Sequence, residues 1–183
     1  MSLRLFTGFA PDASLIEEVA RWRPSVTVQE NIRWKEPDLL HLTAYFFGKW
    51  EPEALENLRA CLSIEARKHR PFSLQFKDVC LAPSGQHPRM IWVRFHQKTA
   101  FAKLTQGLHT MFSQFDPDHQ FRSKPTPHIT LARLKDWPAE VNLPYMEASS
   151  GLKLLCRDLV LWQSEVVDGR TIYTELGRWK LGR

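Results

Sequence analysis

Two stretches of this chain carry one polar signature on one kind of background: HLTAYFFG at residues 41–48 and PHITLARL at residues 127–134. Each sets a histidine and a threonine two residues apart within an apolar, aromatic-rich run. A strand turns successive side chains to opposite faces, so residues two apart share a face. His41 therefore projects with Thr43, and His128 with Thr130. The residues between and after them, Leu42, Ala44, Ile129 and Leu131, turn toward an apolar core. The pairs stand about half a chain apart. If two halves of the fold are related by a pseudo-twofold axis, the four polar side chains converge in one central cleft.

The remaining pattern supports two similar halves. LRLFTGFA near the N-terminus alternates with period two and predicts a strand. Ser14-x-x-Glu17 reads as a capping box opening a helix with the stripe Leu15, Ile16, Val19 and Trp22. NIRWK predicts a short strand, LLHLTAYFFGKW a strong one, and residues 53–68 a helix. FSLQFKDVCLA and RMIWVRFH predict strands, residues 98–115 a helix, and 116–127 a Pro-containing loop. LKLLCRDLVLWQSEV at 152–166 reads as one long strand, and Asp168-Gly169 as a hairpin turn into RTIYTELGRWKL. Strands adjoin strands as often as helices. The expected fold class is therefore α+β, bilobal, with two mainly antiparallel sheets, outer helices and a central cleft.

Length and composition bound the rest. A chain of 183 residues with 43% hydrophobic and 25% charged residues fits one bilobal domain, 1–183, with a well-filled core. No run of eighteen apolar residues occurs, so no membrane span is expected. MSLRLFTGFAPD lacks a long apolar stretch and does not read as a secretory signal. The odd cysteine count (Cys61, Cys80, Cys156) without CxxC predicts free thiols and a cytoplasmic address. A net charge of +5 suits a phosphate-bearing partner. No HExxH, HxH or Cys/His cluster marks a metal site, and no GxxxxGK[ST] loop marks an ATP site. No cofactor and no metal are expected.

The chemistry that wants two such pairs is displacement at phosphorus. One imidazole, neutral, takes a proton from the attacking oxygen. The other, protonated, gives one to the leaving oxygen. The two threonine hydroxyls donate to the non-bridging oxygens and hold the group between them. Catalysis is then positioning and charge stabilisation, and no metal is required.

With their framing, the motifs resemble the paired H-x-T/S motifs of the 2H phosphoesterase superfamily, and within it the bacterial RNA 2′,3′-cyclic phosphodiesterases, historically called 2′-5′ RNA ligases. The resemblance runs from the RLF opening strand through FFG and RMIWV to the closing YTELGRW. It implies a bilobal fold and metal-independent opening of a 2′,3′-cyclic phosphate to a 2′-phosphate. His41 and His128 are then the catalytic pair, Thr43 and Thr130 hold the phosphate, and Arg133 matches a phosphate-binding arginine. For hydrolysis, His128 is assigned as base and His41 as acid; 2′,5′ ligation, the reverse reaction, exchanges the roles. RNA ends or cyclic nucleotides, tRNA fragments included, are the expected partners of a monomeric enzyme. An RNA-end-binding module without turnover, and a sister enzyme acting on 2′,5′-oligonucleotides, are the competing readings.

Three residues depart from the family pattern. Leu39 stands where relatives often carry Asn, Pro125 where they often carry Phe, and Tyr45 where a smaller residue is common, on the face of Thr43 by alternation. Alternation also sets Arg133 opposite His128, so it reaches the cleft only through a twist, a bulge or a strand end. Phe6 and Phe9 are candidates for base stacking or for the core. Arg122 and Lys124 are candidates for RNA phosphates or for a solvated loop. His69, His87, His96, His109 and His119 are assigned to surface or loop positions.

Overall fold

Period-two runs become strands, and the way they pair decides where the polar residues meet. In the computed structural model, residues 2–26, 32–85, 87–115, 125–135, 143–147 and 151–182 are described. The strands are β1 (Leu3–Phe9), β2 (Ile32–Trp34), β3 (Leu42–Trp50), β4 (Phe72–Ala82), β5 (Met90–Phe95), β6 (His128–Leu134), β7 (Lys153–Cys156), β8 (Asp158–Val167) and β9 (Arg170–Lys180). Three helices accompany them among the described residues: α1 (Ala13–Trp22), α2 (Leu55–Arg67) and α3 (Thr99–Phe112). The class is α+β, and every pairing is antiparallel.

The sheet order is β7-β4-β5-β6-β3-β1-β8-β9, with β2 added to β6. The two sheets expected from the sequence are thus two halves of one hydrogen-bonded path. Four strands, β6-β5-β4-β7, mirror four others, β3-β1-β8-β9, and the His-x-Thr strands β3 and β6 meet at the seam. Leu42 pairs there with Ile129. These are the middle residues of the two motifs, so the seam has the symmetry of the duplicated pattern.

The 152–166 run divides where one strand was expected. β7 pairs with β4 in one half and β8 with β1 in the other, and only Arg157 separates them. Strands far apart in the sheet order are thus joined by a single residue. The sheet must curl until its two halves approach there. The Arg157 carbonyl accepts the Leu181 N–H at 2.7 Å, which closes the junction. Alternation alone could not show this break, because both pieces have apolar faces.

The first helix begins two residues earlier than the capping box predicts. Asp12 is the cap: its carboxylate accepts the Leu15 N–H at 3.1 Å and the Ser14 hydroxyl at 2.8 Å. The helix buries Leu15, Val19 and Trp22 as expected. Helix α3 packs on β3 and α2 on β9. Beneath them one apolar cluster runs from Leu5 to Leu181 and takes residues from both halves. The final hairpin turns at Asp168 (φ 50°) and Gly169 (φ 73°), the left-handed pair that a two-residue loop requires.

Candidate active site

The face of the sheet turned away from α3 holds a cleft of about 970 Å³ at the seam. His41, Thr43, Thr130 and Arg133 line it. The antiparallel sense that sets Leu42 against Ile129 brings His41 beside Thr130 and Thr43 beside His128. Each histidine thus stands across the seam from the other motif's threonine. His128 does not itself line the cleft, but its charge is felt at His41.

The two imidazoles are held by one device used twice. His41 Nδ1 lies 2.9 Å from the carbonyl oxygen of Leu39, and His128 Nδ1 lies 2.8 Å from that of Thr126. A carbonyl can only accept, so each Nδ1 carries the proton and each Nε2 is left as the acceptor. The tie uses main chain two residues upstream. The tie is therefore kept with leucine at position 39, which also lines the cleft.

Aromatic rings fix the rings' planes. His41 sits within 4.6 Å of Phe6, 5.8 Å of Trp162 and 5.1 Å of Tyr173, centroid to centroid. His128 stacks on Trp92 at 3.7 Å with 22° between planes. Phe6 is thus spent under His41, buried and stacked on Trp162, and Phe9 is in the core. Phe6 also lines the cleft, whereas Phe9 does not.

Bulges decide which neighbours join the site. Between β1 and β3 the register slips so that Thr7 meets Tyr45 but Gly8 meets Thr43, leaving Ala44 as the extra residue. Between β5 and β6, Ile91 meets Ala132 but Trp92 meets Thr130, leaving Leu131 as the extra residue. Each bulge follows directly on the motif threonine, and each reverses the side-chain phase beyond it. Tyr45, expected on the cleft face, is turned into the core instead. It is buried against Phe47 and Phe112, with its hydroxyl 3.1 Å from His109 Nδ1. The residue three beyond each threonine is brought into the cleft: Phe46 in one half, Arg133 in the other. Arg133 reaches the cleft face through the bulge, one of the routes that alternation left open.

Charge in the cleft is one-sided. Arg4, Arg33, Lys35, Arg133 and Arg170 line it against Glu36 and Asp38. Burial, reinforced by the Lys35 ammonium and offset by the Leu39 hydrogen bond, lowers the His41 pKa to about 4. Burial also lowers that of His128, against the Thr126 hydrogen bond. Burial and the Arg133 charge lower Lys35 to about 8. Burial raises Tyr173, whose hydroxyl receives the Lys35 ammonium at 3.2 Å. In the empty cleft at neutral pH both imidazoles are uncharged.

Alternation could not single out Lys35, Tyr173, Trp92 or Trp162, since their roles depend on segments that pair from a distance. His69 bonds Glu65 at the end of α2, and His109 lies within α3. His109 is half-buried there, in a helix rather than a loop, facing the Tyr45 hydroxyl. Arg122, Lys124 and His119 lie outside the described residues.

Comparison with known proteins gives one answer. The sequence model of the 2′-5′ RNA ligase superfamily matches residues 11–168. A protein of Escherichia coli named RNA 2′,3′-cyclic phosphodiesterase is 29% identical, covering 97% of this chain and 96% of that protein. One of the same name from Methanothermobacter thermautotrophicus is 24% identical, covering 99% of this chain and 100% of that protein. The crystal structure of Escherichia coli LigT matches with a TM-score of 0.77 at 25% identity, over 100% of this chain and 99% of that one. LigT has also been crystallised with 3′-AMP and with phosphate.

Proposed function

Because the chain belongs to the 2′-5′ RNA ligase superfamily, we propose that it hydrolyses RNA 2′,3′-cyclic phosphate ends to 2′-phosphates by metal-independent two-histidine catalysis. The observation that carries the reading is the pair of His-x-Thr strands meeting at one cleft, each imidazole presenting Nε2 as its proton-accepting nitrogen. A water oxygen attacks phosphorus and the P–O3′ bond breaks. His128 takes the proton of the water, and His41 gives a proton to O3′. The Thr43 and Thr130 hydroxyls and the Arg133 guanidinium hold the non-bridging oxygens.

His41 must be protonated to act as acid, yet it is neutral in the empty cleft. An arriving phosphodiester anion offsets the cations that repel a proton there, so substrate itself favours the working charge state. Ligation giving a 2′,5′ link is, by atom balance, the same displacement with a 5′-hydroxyl in place of water, so His128 and His41 keep their roles rather than exchange them as expected from the sequence. Cleavage of that link, in which O3′ attacks and O5′ leaves, exchanges the two roles. RNA ends, tRNA fragments among them, are the substrates of this reading, and the enzyme acts as a monomer. Cys61, Cys80 and Cys156 are free thiols, which fits a reducing, cytoplasmic setting. Among the described residues no helix is long and apolar enough to cross a membrane.

The test is turnover of 2′,3′-cyclic nucleotides with the product phosphate located by NMR. His41→Ala and His128→Ala are each expected to lose about 10²–10⁴-fold in kcat, with EDTA without effect on the wild type. Full activity in either variant overturns the two-histidine mechanism. RNA affinity without hydrolysis of any cyclic substrate favours an end-binding module instead, and selective cleavage of linear 2′,5′-oligonucleotides favours a sister activity.

A further inference from the structure

Lys35 stands at the cleft wall and, among the described residues, forms no ion pair with a carboxylate. Its backbone N–H donates to the Leu131 carbonyl at 2.8 Å, which pins it beside the bulge of β6. Its ammonium lies 3.2 Å from the Tyr173 hydroxyl and 3.5 Å from the Leu39 carbonyl. The Leu39 carbonyl is the one that receives His41 Nδ1, so the lysine and the catalytic imidazole share an acceptor. Because the ammonium donates to the tyrosine oxygen, the phenolic proton is left to be given elsewhere.

The neighbours are cationic too. Arg33 lies directly across from Arg133 in the β2–β6 ladder, a like-charge pairing that destabilises a sheet. Arg4 faces Tyr173 from β1, with its guanidinium over the Phe46 ring. Among the described residues none of Arg4, Arg33, Lys35, Arg133 or Arg170 forms an ion pair. Lys35 is half-buried and the four arginines are exposed, and holding five like charges around one cleft without a counter-ion costs mutual repulsion. An anion seated among them removes that cost.

We propose that Lys35, braced on Tyr173, is a substrate ligand: its ammonium takes an oxygen of the phosphate held by Thr43, Thr130 and Arg133, with the Tyr173 hydroxyl donating beside it. This rests on the phosphodiesterase reading for the nature of the substrate, but it concerns binding and can be tested without turnover. Lys35 also ties substrate arrival to His41. Once an anion engages the ammonium, its repulsion, which adds to burial in keeping the shared-acceptor imidazole neutral, is relieved.

Inorganic phosphate, titrated calorimetrically, is the probe. Lys35→Met keeps the aliphatic stem and is expected to weaken phosphate binding about tenfold at pH 7.5, the loss of one charge-assisted hydrogen bond. In the wild type, affinity should fall between pH 7.5 and 9.5, as Lys35, poised at about 8 in the empty cleft, loses its charge. Other charged and titratable groups surround it. They are the guanidiniums of Arg4, Arg33, Arg133 and Arg170, the carboxylates of Glu36 and Asp38, the neutral imidazoles, and the Tyr173 phenol, which is shifted upward. Phosphate itself is partly monoanion at pH 7.5 and becomes fully dianion toward pH 9.5, a change that strengthens binding and so opposes the decline. Lys35→Met and Lys35→Arg should both lack the alkaline decline, and Lys35→Arg should keep the affinity.

Unchanged phosphate affinity and an unchanged alkaline limb in Lys35→Met overturn the proposal. If Lys35→Met does not fold, an alkaline decline persisting in Lys35→Arg overturns it alone. Failure of the functional reading looks different: wild-type protein that binds phosphate in a Lys35-dependent way yet turns over no cyclic nucleotide.

Discussion

At the scale of single residues, the electrostatics of His41 carry two consequences. The first is kinetic. The limbs of kcat/KM report the free protein and those of kcat the complex. Both histidines are shifted down in the empty cleft, so kcat/KM should peak on the acid side of 6.5 and the kcat bell should lie at higher pH. Coincident bells would contradict the coupling of substrate charge to imidazole protonation. The second concerns stability. The folded pKa of about 4 lies below the unfolded value near 6.5, so unfolding takes up a proton below pH 6.5. The contribution is whole above pH 6.5 and is drained as pH falls toward 4, by up to about 3 kcal/mol. Urea midpoints at pH 7.5 and 4.5 measure it. The drop should shrink in His41→Gln, which cannot titrate.

At the scale of elements, the site is built by irregularities in regular strands. Bulges after Thr43 and Thr130 turn Tyr45 inward and Arg133 outward. The β1–β3 bulge depends on Gly8. A Cβ there would stand 2.9 Å from the Leu42 carbonyl carbon and 3.1 Å from Thr43 Cα, both main chain and both within the first motif. Gly8→Ala should therefore cost about 2–4 kcal/mol and lower kcat more than a distant substitution of equal stability cost, because His41 and Thr43 are displaced together. Thermal melts alongside kinetics check this; wild-type values in both would mean that the strands separate freely there. The strands themselves were legible from period-two runs such as 72–82. The bulges were not, because alternation assumes a constant phase and the slip is set by what the partner strand presents. The split at Arg157 was hidden for a related reason: both pieces are apolar-faced, and only their different partners part them.

At the scale of the molecule, the curl of one sheet makes a common cleft out of two halves. The halves share a seam at Leu42 and Ile129, a one-residue junction at Arg157, and one core cluster from Leu5 to Leu181. Neither half closes its core alone. Chemical unfolding should therefore give a single transition, with far-UV and near-UV signals superimposable; two resolved transitions would show the lobes to be separate folding units.

What the amino-acid order determined by itself was local: strand and helix positions, the hairpin at Asp168-Gly169, and the twin polar pairs with the chemistry their residue types allow. Alternation and side-chain chemistry are properties of neighbouring residues, so they can be read in a line. The tertiary structure alone decided that Tyr45 leaves the cleft and Arg133 enters it, that Trp92 and Trp162 hold the imidazoles, and that Lys35 and Tyr173 join the site. Those outcomes hang on hydrogen-bond register between segments distant in the chain, and register is a property of pairs of strands that neither strand carries alone.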